Sequence, residues 1–243
     1  MNSYTDFARV YDALMRDDID YEAWADYIEA IFKRYGACPQ KIYDLACGTG
    51  NITLPLSRRG YDMTGIDISE DMLNIAAEKG SGAVFVKQNI ADLRVPSAAD
   101  AVTCMIDGVN YIISPKALYG AFKRIKTAAL DDGGIFIFDI STEFKLKTVI
   151  GENTFIHSDE DIFYSWQNHY IENRNMSDMF LTFFVRQGES YSRFEERHLQ
   201  RAYSEDEIRF LLDKAGFNSV DAYEELTFEK PKEQTQRIVF VCR

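Results

Sequence analysis

The segment Ile42–Asn51 constrains the fold of this chain more than any other feature. It reads IYDLACGTGN, an apolar run that ends in two closely spaced glycines, Gly48 and Gly50. This pattern predicts a buried strand, a tight turn and the start of a helix, because glycine lets the backbone approach a ligand closely. The positive end of the following helix offers free N–H groups. We therefore predict a nucleotide-type binding loop at this turn.

A second strand, Met63–Asp67, ends in a carboxylate. The dinucleotide-binding fingerprint would place a third glycine at position 53, where this chain has Thr53. The stretch Asp44–Gly50, in the form Asp-x-x-Cys-Gly-Thr-Gly, instead resembles the first motif of the class I S-adenosylmethionine-dependent methyltransferases. Asp67 matches the second motif of that family.

The resemblance implies that S-adenosylmethionine is the cofactor. Its methionine portion is expected along the glycine loop and its ribose hydroxyls at Asp67, with Ile68 and Met72 flanking the adenine. Met72 is also typical of an ordinary core position. Asn89 stands where the family often has an acidic residue facing the adenine amino group. The cofactor-binding residues that the resemblance implies within the sheet domain are Asp44, Ala46, Cys47, Gly48, Gly50, Asp67, Ile68, Met72, Asn89, Ile90 and Asp107.

The N-terminal run containing Tyr4, Phe7, Tyr11 and Asp12 resembles the opening of many small-molecule methyltransferases, where it caps the methionine end of the cofactor. This resemblance implies that Tyr4 and Tyr11 hydrogen-bond the cofactor carboxylate. Phe7 and Tyr11 lie four residues apart, so a helix face that packs on the sheet is the alternative.

The acidic balance of the chain argues against nucleic acid as a partner. With 27 basic and 39 acidic side chains the net charge is −12, which repels polyanions. The four cysteines lack paired spacing, and no apolar run reaches bilayer length. We expect a cytoplasmic protein with no membrane partner, no metal and no disulfides, present as a monomer or homodimer.

Apolar strands alternate with helical runs from residue 41 onward, which predicts a parallel sheet. The last two strands have no helix between them and predict an antiparallel hairpin. The expected fold is α/β, a doubly wound, mostly parallel seven-stranded sheet with an antiparallel last strand. The predicted strands are 42–46, 62–66, 83–87, 101–106, 135–140, 218–223 and 237–242.

Residues 143–203 break this rhythm. They contain three strand-like runs, 162–172, 178–187 and 191–203, which predict an inserted antiparallel β subdomain. We expect it to act as an acceptor lid at the ligand-binding edge of the main sheet. The predicted organisation is an N-terminal cap and helix over 1–36, a cofactor-binding α/β domain over 37–142 and 204–243, and the insertion over 143–203.

The acceptor side is predicted less directly. Asp107, Asn110 and Tyr111 resemble the family's fourth motif, which borders both cofactor and acceptor, although Asp107-Gly108 is also typical of a simple turn. Alternation along 191–203 divides that strand into a face with His198 and a face with arginines. His198 is a candidate general base, with a structural histidine as the alternative. The candidate catalytic residues are Tyr111 and His198, and the candidate acceptor-binding residues are Asn110, Tyr111, His198, Arg201 and Tyr203.

These observations predict transfer of a methyl group from S-adenosylmethionine to a nitrogen or oxygen of a small molecule. Methyl transfer needs alignment and exclusion of water more than reactive side chains, so the motifs describe the cofactor better than the acceptor. A non-catalytic cofactor-binding module, a tRNA methyltransferase and a nicotinamide oxidoreductase remain alternatives.

Overall fold

Two β-sheets organise the fold in the computed structural model. It describes residues 3–80 and 82–243, except for the side chains of residues 3–7, 9, 16 and 17. The strands in chain order are β1 (Lys41–Leu45), β2 (Asp62–Asp67), β3 (Val84–Lys87), β4 (Ala99–Cys104), β5 (Leu130–Ser141), β6 (Thr154–Ser158), β7 (Ile162–Ile171), β8 (Met176–Gln187), β9 (Ser190–Arg201), β10 (Val220–Glu224) and β11 (Arg237–Cys242).

The larger sheet has seven strands in the order β10-β11-β5-β4-β1-β2-β3. Strand β11 runs antiparallel to both of its neighbours, and the remaining pairs are parallel. The predicted doubly wound α/β sheet with an antiparallel last strand is confirmed. The chain leaves β1 for β2 on one side and returns to β4 on the other, and ligands of open α/β sheets bind at the carboxyl ends of the strands beside such a reversal.

Several of the helices begin at residues whose side chains cap the first turn. The side chains of Asp20, Ser69 and Ser204 accept hydrogen bonds from the backbone N–H groups of Ala23, Met72 and Glu207, and so satisfy first-turn donors. Beyond these caps the apolar residues recur at helical spacing. The helices are α1 (Ser3–Asp18), α2 (Tyr21–Arg34), α3 (Thr53–Arg58), α4 (Glu70–Glu78), α5 (Pro115–Arg124) and α6 (Glu205–Ala215).

Strand β5 lies at the centre of the core. Ile135 and Ile137 pack in the cluster that contains residues of α2, while Phe136 and Phe138 pack in the cluster that contains residues of α5 and α6. All four side chains are fully buried, and the Phe138 ring stacks on Phe240 at 5.0 Å. Each such side chain contributes about 1.5–3 kcal/mol relative to an exposed one. The core thus lies in two layers, one on each face of the sheet.

The smaller sheet is inserted between β5 and α6 and has the order β6-β7-β8-β9, with all pairs antiparallel. The predicted inserted antiparallel subdomain is confirmed, but it has four strands instead of three. A π-helical segment, Phe144–Ile150, and the edge strand β6 precede the three predicted runs. Strand β6 is largely exposed and shows no buried alternation, so only its backbone pairing with β7 defines it.

One face of the smaller sheet, here called the inner face, packs on α1. Phe183 and Phe194 stack with their ring centroids 5.0 Å apart and cluster with Val10. Because side chains alternate along a strand, the even-numbered residues of β9, including His198, share this face with Phe194. The odd-numbered residues, including Arg193, point to the opposite, outer face. The predicted division of β9 into two faces agrees with this register.

Candidate active site

The loop after β1 approaches its neighbours closely at Gly50 and is open at Gly48. Three residues of this loop have positive φ angles: Ala46 (52°), Gly48 (54°) and Gly50 (77°). A Cβ on Gly50 would lie 3.1 Å from the Cβ of Ala76, whereas a Cβ on Gly48 would meet nothing within 4 Å. The first glycine therefore leaves room for a ligand, and the second packs against the helix layer.

This loop forms one wall of a small cavity of about 60 Å³. The loops after β1 and β4 meet here, and a Cβ on Gly108 would lie only 2.8 Å from the Cβ of Ala46. Side chains from α1 and the start of α2 close the opposite side. The cavity is lined by Tyr11, Tyr21, Asp44, Ala46, Cys47, Gly48, Thr49, Asn51, Ile52, Met105 and Ile106.

Asp44 lies at the base of the loop and is 1% exposed. Its carboxylate accepts hydrogen bonds from the Oγ1 atoms of Thr53 at 2.6 Å and Thr103 at 2.8 Å. Burial raises the pKa of Asp44 to about 6, although these two hydroxyls oppose the shift. Threonine replaces the third glycine of the dinucleotide fingerprint at position 53, where its hydroxyl donates to the buried Asp44 carboxylate.

Asp67 joins the loops that follow β1 and β2. Its Oδ2 accepts from the Gly48 N–H and its Oδ1 from the Ser69 N–H, both at 2.8 Å. A carboxylate oxygen has two lone pairs, so each can accept a further hydrogen bond. Next to it, Ile68 is 62% exposed, and Met72 packs at the edge of the inner-face cluster. Asp67 and Ile68 thus present a polar and an apolar surface side by side.

The loop after β3 contains Asn89 and Ile90, two further residues that were predicted to bind the cofactor. The Asn89 Oδ1 accepts from the Ala91 N–H at 2.9 Å and caps a short 3-10 turn, Ile90–Asp92. Ile90 packs partly against the core. The Asn89 side chain is exposed, and its oxygen already caps the 3-10 turn. This hydrogen bond also fixes the orientation of its NH₂ group.

Helix α1 is attached to the glycine loop through Asp12, which is 3% exposed. Its Oδ1 accepts from the Thr49 Oγ1 at 2.6 Å and pairs with the Lys79 Nζ at 2.5 Å. The Asn51 amide donates to the same oxygen at 3.1 Å. Asp12 belongs to the predicted N-terminal cap, but no role was predicted for its side chain. The only feature of the sequence that could have indicated this contact was the presence of a charged residue within the predicted cap.

The two tyrosines assigned to the cap differ in what the structure describes. Tyr11 lines the cavity, and burial, reinforced by the neighbouring Tyr111 and Tyr21, raises the pKa of its hydroxyl well above the ordinary value. Tyr11 is thus a neutral hydrogen-bonding group at the cavity. The side chain of Tyr4 lies outside the described residues.

Asp107 belongs to a buried charge network at the end of β4. Ile106 and Asp107 both have left-handed backbone angles, φ 59° and 54°, which are uncommon for residues other than glycine. The Asp107 carboxylate pairs with the Arg237 Nη2 at 2.8 Å and accepts from the Gln200 Nε2 at 2.8 Å. Burial alone would raise the pKa of Asp107, but the Arg237 guanidinium lowers it below the ordinary value. Asp107 therefore fastens this strained turn to two distant strands.

Asn110, predicted to contact the methyl acceptor, lies in the protein interior. It is fully buried, and its Nδ2 donates to the carbonyl oxygens of Ser141 and Arg201, both at 2.9 Å. Its Oδ1 accepts from the Ser141 N–H at 2.9 Å. Three of its four hydrogen-bonding positions are thus used by backbone groups, and Asn110 ties β9 to β5.

Arg201 and Tyr203 also serve the fold. The Tyr203 side chain is 1% exposed and its hydroxyl donates to the carbonyl oxygen of Ile112. The Arg201 guanidinium lies over the Tyr203 ring at 5.1 Å and pairs with Glu207 at 3.2 Å. Alternation placed Arg201 on the outer face but could not show that this end of β9 packs against α6, where both side chains have partners within the fold.

Tyr111 and His198 meet between the two sheets. Their rings contact edge to face with centroids 5.9 Å apart and an interplanar angle of 80°. Gln200 hydrogen-bonds the Tyr111 hydroxyl, and Tyr111 is 48% exposed. Burial lowers the pKa of His198 below its ordinary value, so the ring is neutral near pH ~7. The structure thus brings these two candidates together, next to the loop after β4.

Within residues 3–80 and 82–243, no group of three or more His, Cys, Asp or Glu side chains is arranged to hold a metal ion. No helix in the same part of the chain combines the length and apolar character that crossing a bilayer requires.

Comparison with known proteins gives a consistent result. Residues 42–134 match the model of a family described as a methyltransferase domain. Two bacterial proteins with methyltransferase names align along almost their whole length: YqeM of Bacillus subtilis is 35% identical, covering 98% of this chain and 95% of the relative, and a Geobacillus protein is 33% identical, covering 99% of each.

A solved structure of an S-adenosylmethionine-dependent methyltransferase from Clostridium acetobutylicum is 36% identical, covers 100% of this chain and 99% of its own, and has a TM-score of 0.90. A shorter match, 28% identical over 49% of this chain and 46% of the relative, is to the Streptomyces fradiae protein named dTDP-3-amino-3,6-dideoxy-alpha-D-glucopyranose N,N-dimethyltransferase.

The buried carboxyl of Asp44 predicts a pH-dependent stability. Its pKa in the folded protein, about 6, lies above the ordinary value of 3.8, so its contribution to stability is present below pH 3.8 and is lost as the pH rises through about 6. Relative to the wild type, the free energy of unfolding of Asp44→Asn should rise by about 2.4 kcal/mol between about pH 4 and about pH 7. Urea unfolding of the ligand-free protein across this range measures the difference.

The control for this series is Asp62→Asn, since Asp62 is exposed at the start of β2. Its free energy of unfolding should follow the wild type at every pH. A constant difference between Asp44→Asn and the wild type across the whole range would contradict the assignment.

Proposed function

Because this chain belongs to the class I S-adenosylmethionine-dependent methyltransferases, we propose that it moves a methyl group to a nitrogen or oxygen of a small-molecule acceptor. The matched Streptomyces fradiae protein carries a name that specifies N-methylation of a sugar nucleotide, which is compatible with such an acceptor. The net charge of −12 supports a small molecule over a polyanion. The acceptor itself is a matter for experiment.

The residues of the crevice fit the cofactor. The open side of Gly48, where an added Cβ would meet nothing within 4 Å, gives an elongated ligand room against the backbone. Asp67 has unused lone pairs for the ribose hydroxyls, and the exposed Ile68 offers an apolar surface for adenine. S-adenosylmethionine supplies, when bound, an electrophilic methyl group on a positively charged sulfur. We assign Ala46, Cys47 and the rest of the glycine loop to its methionine portion.

We assign the remaining cofactor contacts to residues of the neighbouring loops and helices. Met72 and Ile90 border the adenine side, and the Asn89 NH₂ group can donate to it while its oxygen caps the 3-10 turn. Tyr11 closes the methionine side as a neutral hydroxyl. Asp107 is assigned a supporting role, because Arg237 and Gln200 already occupy its carboxylate oxygens.

The contact between Tyr111 and His198 is the observation that carries the proposal for the reaction. Tyr111 follows β4 of the cofactor-binding sheet and His198 belongs to β9 of the inserted sheet, yet their rings are 5.9 Å apart. An acceptor bound there would lie beside the loops after β1 and β4. We propose that the insertion, residues 143–203, is the acceptor lid, and that α1 within residues 1–36 is a cap latched by Asp12.

His198 and Tyr111 then have separate roles. Burial favours the neutral form of the His198 imidazole, which is the form that can accept a proton from an acceptor nitrogen or oxygen, so we assign His198 as the general base. The half-exposed Tyr111 borders the acceptor and, held by Gln200, orients it. The aromatic inner face shields the partly buried His198 from water.

Replacement of Asp67 tests the cofactor assignment. Asp67→Ala should weaken the binding of S-adenosylhomocysteine by about 1.5–3 kcal/mol, or roughly 10- to 150-fold, because hydrogen bonds to a charged group are lost. Isothermal titration calorimetry measures this, and thermal unfolding verifies that the variant is folded. Asp62→Ala, at the exposed beginning of the same strand, should bind like the wild type. Equal affinity of folded Asp67→Ala and wild type would refute the role.

An acceptor screen tests the reaction class. The protein is incubated with S-adenosylmethionine and separate pools of amines, alcohols, phenols and carboxylic acids, and release of S-adenosylhomocysteine is recorded. We expect release above the acceptor-free rate with at least one nitrogen or oxygen pool. Tight cofactor binding without release in any pool would favour a non-catalytic module instead.

Replacement of His198 tests the base. With the acceptor found in the screen, His198→Asn should lower kcat by about 10²- to 10⁴-fold, the range typical of general-base catalysis, with unchanged affinity for S-adenosylhomocysteine. His169→Asn is the control, since His169 is exposed on the outer face and pairs with Glu152. Full activity of His198→Asn would show that this histidine is structural.

A further inference from the structure

Three polar side chains form a row on the inner face of β9: Gln200, His198 and Glu196. They are two residues apart, so neighbouring members are separated by about 6.6 Å along the strand. Gln200 donates to Asp107 at 2.8 Å, and His198 contacts Tyr111. The row therefore begins at the loop after β4 and leads outward along the proposed acceptor lid, with Glu196 at its far end.

The Glu196 carboxylate has no polar partner within the described part of the chain. Among the described residues its carboxylate makes no ion pair within 4 Å and no hydrogen bond, whereas the adjacent Glu195 and Arg197 on the outer face pair with Arg193 and Asp178. Glu196 is also partly buried, and this burial raises the pKa of its carboxyl above the ordinary value. A half-buried carboxylate without a compensating partner is unfavourable in the absence of a ligand.

Aromatic side chains share the inner face with this carboxylate. Phe194 precedes Glu196 on the same face and stacks on Phe183 at 5.0 Å, and Tyr164 packs on Phe183 at 5.5 Å. Leu181 lies directly across the strand pair from Glu196. Aromatic faces attract cations, and a carboxylate beside them adds a charge-assisted hydrogen bond. This combination suits an organic ammonium ion better than a neutral or anionic group.

From this arrangement we propose that the methyl acceptor is an amine, bound as its ammonium ion between Glu196 and His198 against the aromatic inner face. The proposal rests on the proposed function and narrows its acceptor class from nitrogen or oxygen to an amine nitrogen. A hydroxyl acceptor would leave the Glu196 charge without a counter-ion. Glu196 binds the acceptor, and His198 prepares it for reaction.

Methylation of an ammonium ion requires a proton transfer before the methyl transfer. The ammonium nitrogen has no lone pair, so it first gives one proton to the neutral imidazole of His198. The freed lone pair then attacks the methyl carbon: a nitrogen–carbon bond forms, the carbon–sulfur bond breaks, and its electron pair stays on sulfur. The methylated nitrogen carries the positive charge, and His198 returns its proton to solvent. Side chains about 6.6 Å apart place one nitrogen within about 3 Å of each.

The test compares two ligands of matched shape and different charge. Cyclohexylamine and cyclohexanol are titrated calorimetrically into the protein saturated with S-adenosylhomocysteine. The wild type should bind the amine at least about tenfold more tightly than the alcohol, as expected for one partly buried charge pair. Glu196→Gln should lose this preference, and Glu196→Asp, which retains the charge, should keep part of it. Glu195→Gln is the matched control, because its side chain lies on the outer face, and should behave as the wild type.

Two results would overturn the amine assignment: equal binding of both ligands by the wild type, or an undiminished preference in Glu196→Gln. Thermal unfolding establishes that each variant is folded. The binding measurement needs no turnover, so it separates this inference from the proposed function. Methylation of alcohols, phenols or carboxylic acids but no amines in the screen would leave the proposed function intact and contradict this inference alone.

Discussion

The buried guanidinium of Arg237 joins the parts of this molecule that meet at the candidate active site. It is 6% exposed and pairs with Asp107 after β4 and with Asp139 near the end of β5. Burial raises the pKa of Asp139, and the Arg237 charge opposes that shift. Removing one partner from such a network would leave a buried charge uncompensated, which is far costlier than the net value of the intact set.

The direction of the last strand explains how this cation reaches the ligand-binding edge. Arg237 is the first residue of β11, and because β11 is antiparallel its beginning lies beside Ser141, at the carboxyl end of β5. A parallel last strand would place its first residue at the opposite edge of the sheet. The terminal hairpin is thus more than a variation of topology, because it delivers the charge that keeps Asp107 ionised.

The same network sets the position of the inserted sheet. Asp107 accepts from Gln200, and Asn110 donates to the carbonyl oxygen of Arg201, so the end of β9 is held on the loop after β4 at two points. The inner face of that sheet is consequently directed toward α1 and the glycine loop. His198 lies next to Tyr111 for this reason, and Glu196 follows at the spacing of a strand.

Features governed by short-range physics were predictable. The turn at Gly48 and Gly50 and the alternation along β9 depend on neighbours within a few residues, and the structure agrees with both. The doubly wound sheet with its antiparallel last strand was also predictable, because alternating elements and right-handed crossovers leave few arrangements. The edge strand β6 escaped prediction, since an exposed strand carries no burial pattern.

The sequence by itself determined the sheet, the glycine loop with its carboxylate at Asp67, and the cofactor class. Only the tertiary structure decided which polar side chains serve the fold and which face the site. The side chains of Asn110, Arg201 and Tyr203 bind other parts of the fold, and Asp12 holds α1 on the glycine loop, contacts that their local sequence did not indicate. The reason is physical: hydrogen-bond partners separated by tens of residues are chosen by strand order and register, which no local pattern encodes.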